Sequence, residues 1–422
     1  MKRSLAHIAL SIVINALRFT LALVFTFSGF VKAADPMGLV YKMTDYADAF
    51  GIVIPFGLLL VGAILLIVWE YMMGVCLFFG LYRRLYLSLM IVFLVLMTPL
   101  ALYSAVYNPV ADCGCFGDAV VLTNWQTFGK NVALLVMAVL TLIGYKHIRR
   151  IVSERLQWLV YVYALVSIVI FIPHNLRHLP AFDFRPYHIG ANIIESMTIP
   201  KGAARDEYET LFVLEKEGEQ RTFTFDNYPD STWTFVSREN RLISKGYVPP
   251  ITDFCLTDLN GDDYTWDVLG QSGYTLFMVA HNLERTDEGM LDVINDLYDY
   301  AKINEVPFYM LTSSNRSVIA KWVDHTGADY PYLQVDETIL KTMIRANPGL
   351  ILLKDATVVG KWSKADMPRD EQLTVPIEQN AAMHFAPRHT RNQHVEIVLW
   401  MFLPLCLLIV IDNILNREKK AQ

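Results

Sequence analysis

The chain has 422 residues, of which 54% are hydrophobic and only 18% charged, and its formal net charge is −6. Soluble domains carry about 25% charge, so much of this chain sits in something other than water, and a wholly soluble or disordered protein is excluded. No long run of Lys and Arg is available to neutralise phosphates, which argues against nucleic acid as a partner, and five cysteines are too few for a disulfide-stapled scaffold.

The apolar excess lies near the two ends of the chain. It predicts six helices of bilayer-spanning length, at about 6–31, 54–80, 85–105, 128–146, 156–173 and 396–415. A lipid bilayer is therefore the first partner implied. Lys2 and Arg3, Arg83 and Arg84, the set Lys146, Arg149, Arg150 and Arg155, and the set Arg417, Lys419 and Lys420 share one side if both termini are cytoplasmic. The connections on the other side carry only Lys32, Lys42 and Lys130. Positive charge accumulates on the cytoplasmic side, so the long polar region is expected outside the cytoplasm. In bacterial terms the expectation is a multi-pass inner-membrane protein with a large periplasmic domain. Lys2-Arg3, an apolar run and Ala33-Ala34 imitate a secretory signal, but the run is too long and contains Asn15 and Arg18, so the helix is expected to be retained.

Arg18 in the first span and Glu70 in the second are ionisable groups at membrane depth, where each costs at least about 2.5–3 kcal/mol unless it faces the protein interior and finds a partner. An Arg18–Glu70 contact is expected, with Asn15 one turn from Arg18 on the same face. Such a pair either fixes the packing of the two spans or has a functional role, as a polar floor beneath a quinone-like ring or as a proton route to the cysteines. Cys76 and Cys406 fall within spans, where a thiol is ordinarily a small apolar filler.

Between the third and fourth spans lies Asp112-Cys113-Gly114-Cys115-Phe116-Gly117-Asp118. Two cysteines one glycine apart can close a small ring, and glycine permits the backbone angles that closure needs. Three readings stay open on these residues: a redox-active pair, a static disulfide pinning the loop, and half of a metal site. The last would need more soft ligands than Asp112 and Asp118 supply.

The stretch from about 10 to 147 resembles the MauE/DoxX family of small membrane proteins, which is related in outline to four-helix, quinone-linked disulfide-forming enzymes. The match rests on Arg18, on Ser28-Gly29-Phe30-Val31-Lys32, on Glu70 with Gly74, on Cys113-Gly114-Cys115-Phe116-Gly117-Asp118 and on Trp125 through Asn131. MauE-type proteins belong to methylamine utilisation, where they help form disulfides in a dehydrogenase subunit. The resemblance implies Cys113 and Cys115 as the redox pair, with Arg18, Glu70 and Asp118 in support. It does not imply methylamine as a substrate, because the large polar appendage departs from the short family pattern.

In the appendage, short alternating patches around 210–214 and 222–225 suggest antiparallel strands. From 248 the rhythm becomes βαβ: a strand at 274–280, a helix ending near Ile303, a strand at 307–311, a helix at 317–325, and a hairpin of 350–353 with 358–362. The expected organisation is a four-helix membrane domain at 1–150, a fifth spanning helix at 151–175 and a β-rich connection at 176–247. A thioredoxin-like α/β domain at 248–368, a linker at 369–395, and a sixth spanning helix with its tail at 396–422 complete it. The fold class is thus a six-span α-helical bundle plus an extracytoplasmic α/β domain. Residues 248–368 resemble membrane-tethered thiol reductases and peroxiredoxin relatives at Ile251 through Gly261 and at Arg345 through Leu353, where the resemblance implies that Pro348 is the family's cis-proline. The family's Cys-x-x-Cys position holds His281-Asn282-Leu283-Glu284-Arg285 instead. Without a thiolate there, the domain cannot itself exchange disulfides. A client-binding role through Asn347 and Pro348 is the better expectation. His281 is expected at the surface, and Cys255 as an inert lone thiol.

Two function classes follow. One is a membrane thiol–disulfide oxidoreductase that oxidises a client dithiol and passes electrons to a carrier such as a quinone. The other is a non-enzymatic scaffold or assembly protein with a static Cys-Gly-Cys clip and a redox-inert binding domain. A partner with thiols, or a partner membrane protein, is implied by both. A transporter fits less well, because no pair of interrupted helices marks a midplane site.

Overall fold

The computed structural model describes residues 2–110, 114–380, 383 and 391–421. Among them, six helices are long and apolar enough to cross a membrane. They are α1 (Lys2–Ala34), α3 (Phe56–Phe79), α4 (Arg83–Tyr107), α5 (Asn124–Ile143), α6 (Gln157–Arg177) and α12 (Arg391–Ala421). A seventh helix of the bundle, α2 (Pro36–Ala49), turns off the end of α1 at Asp35, whose side chain caps it by accepting from the Gly38 N–H at 3.0 Å. The α1 helix outruns its expected end at 31 and carries Lys32 inside the helix.

The α1–α3 contact is nearly backbone to backbone. A Cβ built on Gly74 would fall 2.3 Å from the Thr26 amide nitrogen, and one on Gly29 would fall 2.6 Å from the Tyr71 amide nitrogen. Small residues allow this approach, and side-chain packing then holds it, since lipid offers no hydrophobic drive. Gly74→Val is expected to force the helices apart and to cost about 1–3 kcal/mol or more. The check is a lowered thermal midpoint of the full chain in detergent, and an unchanged midpoint would contradict the contact.

The bundle has two chemically distinct ends. At one, the α3–α4 turn and the α5–α6 connection meet: Arg83 donates to the Ile148 carbonyl, and Asp412 of α12 accepts from the Ser153 amide at 2.8 Å. At the other end lie α2, the loop after α4, and the start of the polar region. There, Asn175 Nδ2 donates to the Ala33 carbonyl at 3.1 Å, and the Asn175 carbonyl oxygen accepts from the Ala181 amide at 2.8 Å.

The polar region holds two sheets. The first is β2-β1-β3, antiparallel, from β1 (Glu207–Lys216), β2 (Glu219–Thr224) and β3 (Thr234–Ser244). It buries little beyond Leu214 and an edge-on contact of Phe212 with Tyr228. The second has the order β6-β5-β4-β7-β8. Its strands are β4 (Tyr274–Val279), β5 (Phe308–Thr312), β6 (Tyr332–Gln334), β7 (Gly349–Lys354) and β8 (Thr357–Ser363). Strands β4, β5 and β6 run parallel, and β7 and β8 join antiparallel beside β4.

Both faces of this sheet are covered, which is why its strands read as unbroken apolar runs. Leu276 and Met278 meet α9 (Leu291–Ile303) and α10 (Arg316–Thr326) on one face. Phe277 and Val279 meet α8 (Thr265–Leu269) and α11 (Glu337–Met343) on the other, where α7 (Ile193–Met197) also packs. The stretch from Ile251 through Gly261 pairs only through isolated bridges of Thr257 with Asp263 and Gln334. Part of the stretch expected to be a linker packs on the α9 face, where Ile377 and Met383 are fully buried.

His281 corrects an expectation. It is 4% exposed rather than at the surface, and its Nε2 lies 2.8 Å from the Ile344 carbonyl oxygen. It follows β4 by two residues, where the chain passes the loop bearing Ile344. Burial holds its pKa down, to about 4. An exposed histidine titrates near about 6.5, so between these values the unfolded chain binds the extra proton, and the fold loses about 3 kcal/mol as pH falls from about 6.5 through about 4. Denaturant unfolding of the full chain at pH 7 and pH 4.5 should show this loss, and His281→Gln should remove about that much of the pH dependence. An equal pH dependence in both proteins would contradict it.

Candidate functional site

The Cys-Gly-Cys loop connects α4 to α5. Asp112 and Cys113 lie outside the described residues; Cys115 is disulfide-bonded and partly buried. Gly114 and Gly117 both have positive φ, at 62° and 54°, a conformation that glycine adopts without strain. The Gly117 amide donates to the Gly114 carbonyl at 3.1 Å and closes a tight turn around Cys115. Beyond it, a capping box of Thr123 and Gln126 starts α5, and Asn124 Nδ2 donates to the Asn108 side-chain oxygen at 2.8 Å and the Val110 carbonyl at 3.0 Å. The loop is thereby pinned at both of its roots.

Beneath the turn lies a buried ion pair that the sequence reading did not identify. Lys32 Nζ sits 2.6 Å from Glu70 Oε2 and 2.7 Å from Oε1, and the two side chains are 7% and 4% exposed. Ser28 Oγ is 2.8 Å from Glu70 Oε2 and 2.7 Å from the Cys115 carbonyl oxygen. Its single proton serves one acceptor at a time. Lys32 also donates to Ser28 Oγ at 3.2 Å. A continuous polar chain thus runs from the intramembrane carboxylate to the backbone of Cys115.

The expected Arg18–Glu70 contact is not formed. Arg18, 1% exposed, donates from Nη2 to the Phe78 carbonyl at 2.9 Å and from Nη1 to the Arg149 carbonyl. Phe78 is eight residues beyond Glu70, about 12 Å along the α3 axis, so the two charges sit at different depths. Asn15 joins Arg18 at that end by donating to the His147 carbonyl at 3.0 Å. The guanidinium satisfies carbonyls at a helix end, which is structural work, while Glu70 takes Lys32. The signal that could have found Lys32 is its i,i+4 spacing from Ser28 within the apolar run.

Two cavities of about 380 Å³ each flank the Cys115 turn. One lies within the bundle. Its walls are apolar, from residues such as Phe25, Met43, Leu59, Phe93 and Leu134, and its polar end is formed by Ser28, Lys32, Glu70, Lys130 and Cys115. Lys130 Nζ stands 4.5 Å from the centre of the Phe116 ring. The other is a polar cleft between α2, the loop and the α/β region, lined by Asp35, Tyr41, Lys42, Gly114, Asp118 and Arg345 among others. Gly114, Lys32, Leu39 and Lys42 border both.

Arg345 closes the cleft from above. Its Nη2 lies 2.8 Å from Asp35 Oδ2 and 3.1 Å from Asp118 Oδ2. Burial alone would raise Asp35, but Arg345 and Arg185 outweigh it and hold its carboxyl below the ordinary value. Burial raises Asp118 above that value in spite of Arg345. Asn347 and Pro348 follow in the same loop. Their peptide bond is cis, and Asn347 Nδ2 donates to the Asn282 carbonyl at 3.3 Å. The remaining thiols lie apart from this centre: Cys76 is buried, and Cys255 and Cys406 are exposed. Cys406 therefore lies on the outer surface of α12 rather than in its packed seam. Among the described residues, no cluster of His, Cys, Asp and Glu could hold a metal ion.

Residues 10–144 match the family described as methylamine utilisation protein MauE, and residues 208–245 match a domain of unknown function, DUF8463. The first match spans the bundle from within α1 to the end of α5 and includes every residue of the Ser28–Lys32–Glu70–Cys115 centre. The second falls on the β2-β1-β3 sheet. No curated protein and no solved structure matches the chain.

Proposed function

From a MauE-like membrane protein whose disulfide loop divides an apolar cavity from a polar cleft, we propose a thiol–disulfide oxidoreductase. In this reading Cys113 and Cys115 form the exchanging pair, the polar cleft faces outside the cytoplasm, and a client dithiol approaches through it. The observation that carries the reading is the place of Cys115: disulfide-bonded, partly buried, lining the bundle cavity, with Gly114 bordering the cleft on its other side.

A client thiolate attacks one sulfur of the pair, the Cys113–Cys115 bond breaks, and the displaced cysteine leaves as a thiolate. The second client thiolate then attacks the client sulfur of the mixed disulfide. The client departs as a disulfide, and the pair is left as two thiols, having gained two electrons and two protons. The bundle cavity fits a quinone: its long walls suit an apolar ring and tail, and its polar end offers donors in Ser28, Lys32 and Lys130. A quinone held there would take up those two electrons and two protons as the disulfide re-forms. Lys32, Glu70 and Ser28 would orient a ring oxygen and carry protons between the cavity and the loop.

The α/β region is read as thioredoxin-like, with its chemistry lost and its binding surface kept. The order β6-β5-β4-β7-β8, with β4, β5 and β6 parallel and β7 and β8 antiparallel beside them, supports this reading. Asn347 and Pro348 would hold client backbone. The basic clusters around Arg83, Arg149 and Arg150 support a cytoplasmic location for that end, in a bacterial inner membrane with the α/β region in the periplasm. Membranes carrying the full chain should oxidise a reduced dithiol peptide and reduce added quinone, and both activities should vanish in Cys113→Ser and Cys115→Ser. Unchanged rates would leave the scaffold reading.

A further inference from the structure

The loop that carries the proposed chemistry belongs to the bundle, yet its contact from the water side comes from Arg345, 227 positions after Asp118. That guanidinium is only 10% exposed and uses its planar fork fully. Nε donates to Asp35 Oδ2 at 2.9 Å, Nη2 reaches Asp35 and Asp118, and Nη1 donates to the Lys341 carbonyl at 2.7 Å, at the end of α11. Three elements are tied at one point: the α1–α2 corner, the redox loop and the α/β region.

The α11 side of this tie is itself held from behind. Arg185, 2% exposed, donates from Nη1 to the Thr342 carbonyl at 3.1 Å and from Nε to Asp183 Oδ1 at 2.8 Å. Lys361 Nζ completes the set at 2.7 Å from Asp183 Oδ2. Arg345 is therefore anchored rather than loosely placed, and its position is dictated by the α/β region. Without it, Asp35 and Asp118 would lose the one cation that pairs with both, and Arg185, with Lys42 at Asp118, would be left to offset their repulsion. Asp118 is three residues beyond Cys115 and one beyond the Gly117 turn, so repulsion there would act on the disulfide loop directly.

We propose that Arg345 is a positioning residue of the redox centre, holding the turn that carries Cys115 through Asp118, so that the α/β region completes the site. The inference rests on the thiol-exchange reading and adds to it a role for the appendage that requires no thiol in the appended domain. It also assigns a sign. A cation over the loop favours the thiolate of the reduced pair, so its removal makes the pair harder to reduce.

The test equilibrates membranes containing the full chain with glutathione buffers of graded ratio and traps free thiols by alkylation, alongside the rate of peptide dithiol oxidation. Arg345→Gln is expected to shift the equilibrium five- to tenfold toward the disulfide, about 20–30 mV more negative for a two-electron couple, and to slow oxidation about tenfold. Arg345→Lys, which keeps the charge, should recover most of the potential and less of the rate. If Arg345→Gln does not fold, Asp118→Asn tests the loop side alone while the Asp35 pair remains. It should slow oxidation by a similar factor, and where Arg345→Gln does fold, the double variant should be little slower than either single one. Cysteine-dependent exchange with unchanged potential and rate in these variants would overturn the positioning role and leave the thiol-exchange reading standing. Loss of any cysteine dependence in the unaltered protein would overturn that reading itself.

Discussion

Lys32→Met alone is expected to cost about 3–5 kcal/mol, because it leaves the Glu70 carboxylate buried without its cation. The two side chains are 7% and 4% exposed, and Glu70 has no cation partner besides Lys32 among the ion pairs of the described residues. Glu70→Leu should cost a similar amount by stranding Lys32. The double variant Lys32→Met with Glu70→Leu should regain most of that stability, since apolar groups of similar volume replace a buried pair at little net cost. Activity should not recover with stability. The double variant keeps the fold but loses the polar end of the cavity and the chain to Ser28, so peptide oxidation should stop after a single turnover of the disulfide. Thermal unfolding in detergent and multiple-turnover oxidation with added quinone, measured on all three variants, check the two halves separately. A double variant as active as the unaltered protein would reduce the pair to a packing device.

The second large effect is on the sulfurs. Cys115→Ser removes one sulfur of the proposed exchanging pair, so on that reading no intramolecular disulfide is available and catalysis of peptide oxidation should fall to background. Stability should change far less than activity, because the loop is also held by the Asn124 contacts with Asn108 and Val110 and by Asp118 on Arg345. In Cys113→Ser the remaining Cys115 thiol carries no disulfide for the reduced peptide to attack, so oxidation should stop; given peptide already in the disulfide form, the Cys115 thiolate attacks one peptide sulfur and releases the other as a thiolate, so a mixed disulfide forms with no net oxidation. Non-reducing gels resolve such adducts. Intact activity in both serine variants would return the protein to the class of anchored adaptors.

The spans were readable because lipid demands long apolar runs, and the parallel strands because burial on both faces leaves unbroken apolar segments such as Leu276–Val279. What escaped was set by contacts at long range. Arg18 and Glu70 looked like partners when depth was reckoned from apolar runs alone. In the fold, the Phe78 and Arg149 carbonyls turn inward to meet Arg18, and a helix longer than its apolar core brings Lys32 under Glu70. The α2 helix carries too few apolar positions to stand out as a bundle element, although Asp35 and Pro36 are an ordinary helix start. No local pattern could tie Arg345 to Asp35, 310 positions away. His281 looked exposed because it follows a strand at the place where the thioredoxin-like pattern opens to solvent; here the loop bearing Ile344 covers it. The Cys-Gly-Cys motif stood out at once, since its spacing is local, but the two cavities that flank the Cys115 turn are built from residues scattered from Val24 to Arg345.

The most direct measurement is the midpoint potential of the Cys113–Cys115 couple in native membranes, read by thiol trapping across a series of redox buffers. An exchanging pair should titrate above about −270 mV, within the range of catalytic dithiols, and should become oxidised again when quinone is supplied. A potential below about −300 mV, with the disulfide unmoved by client or quinone, is the mark of a structural bond and would contradict the account.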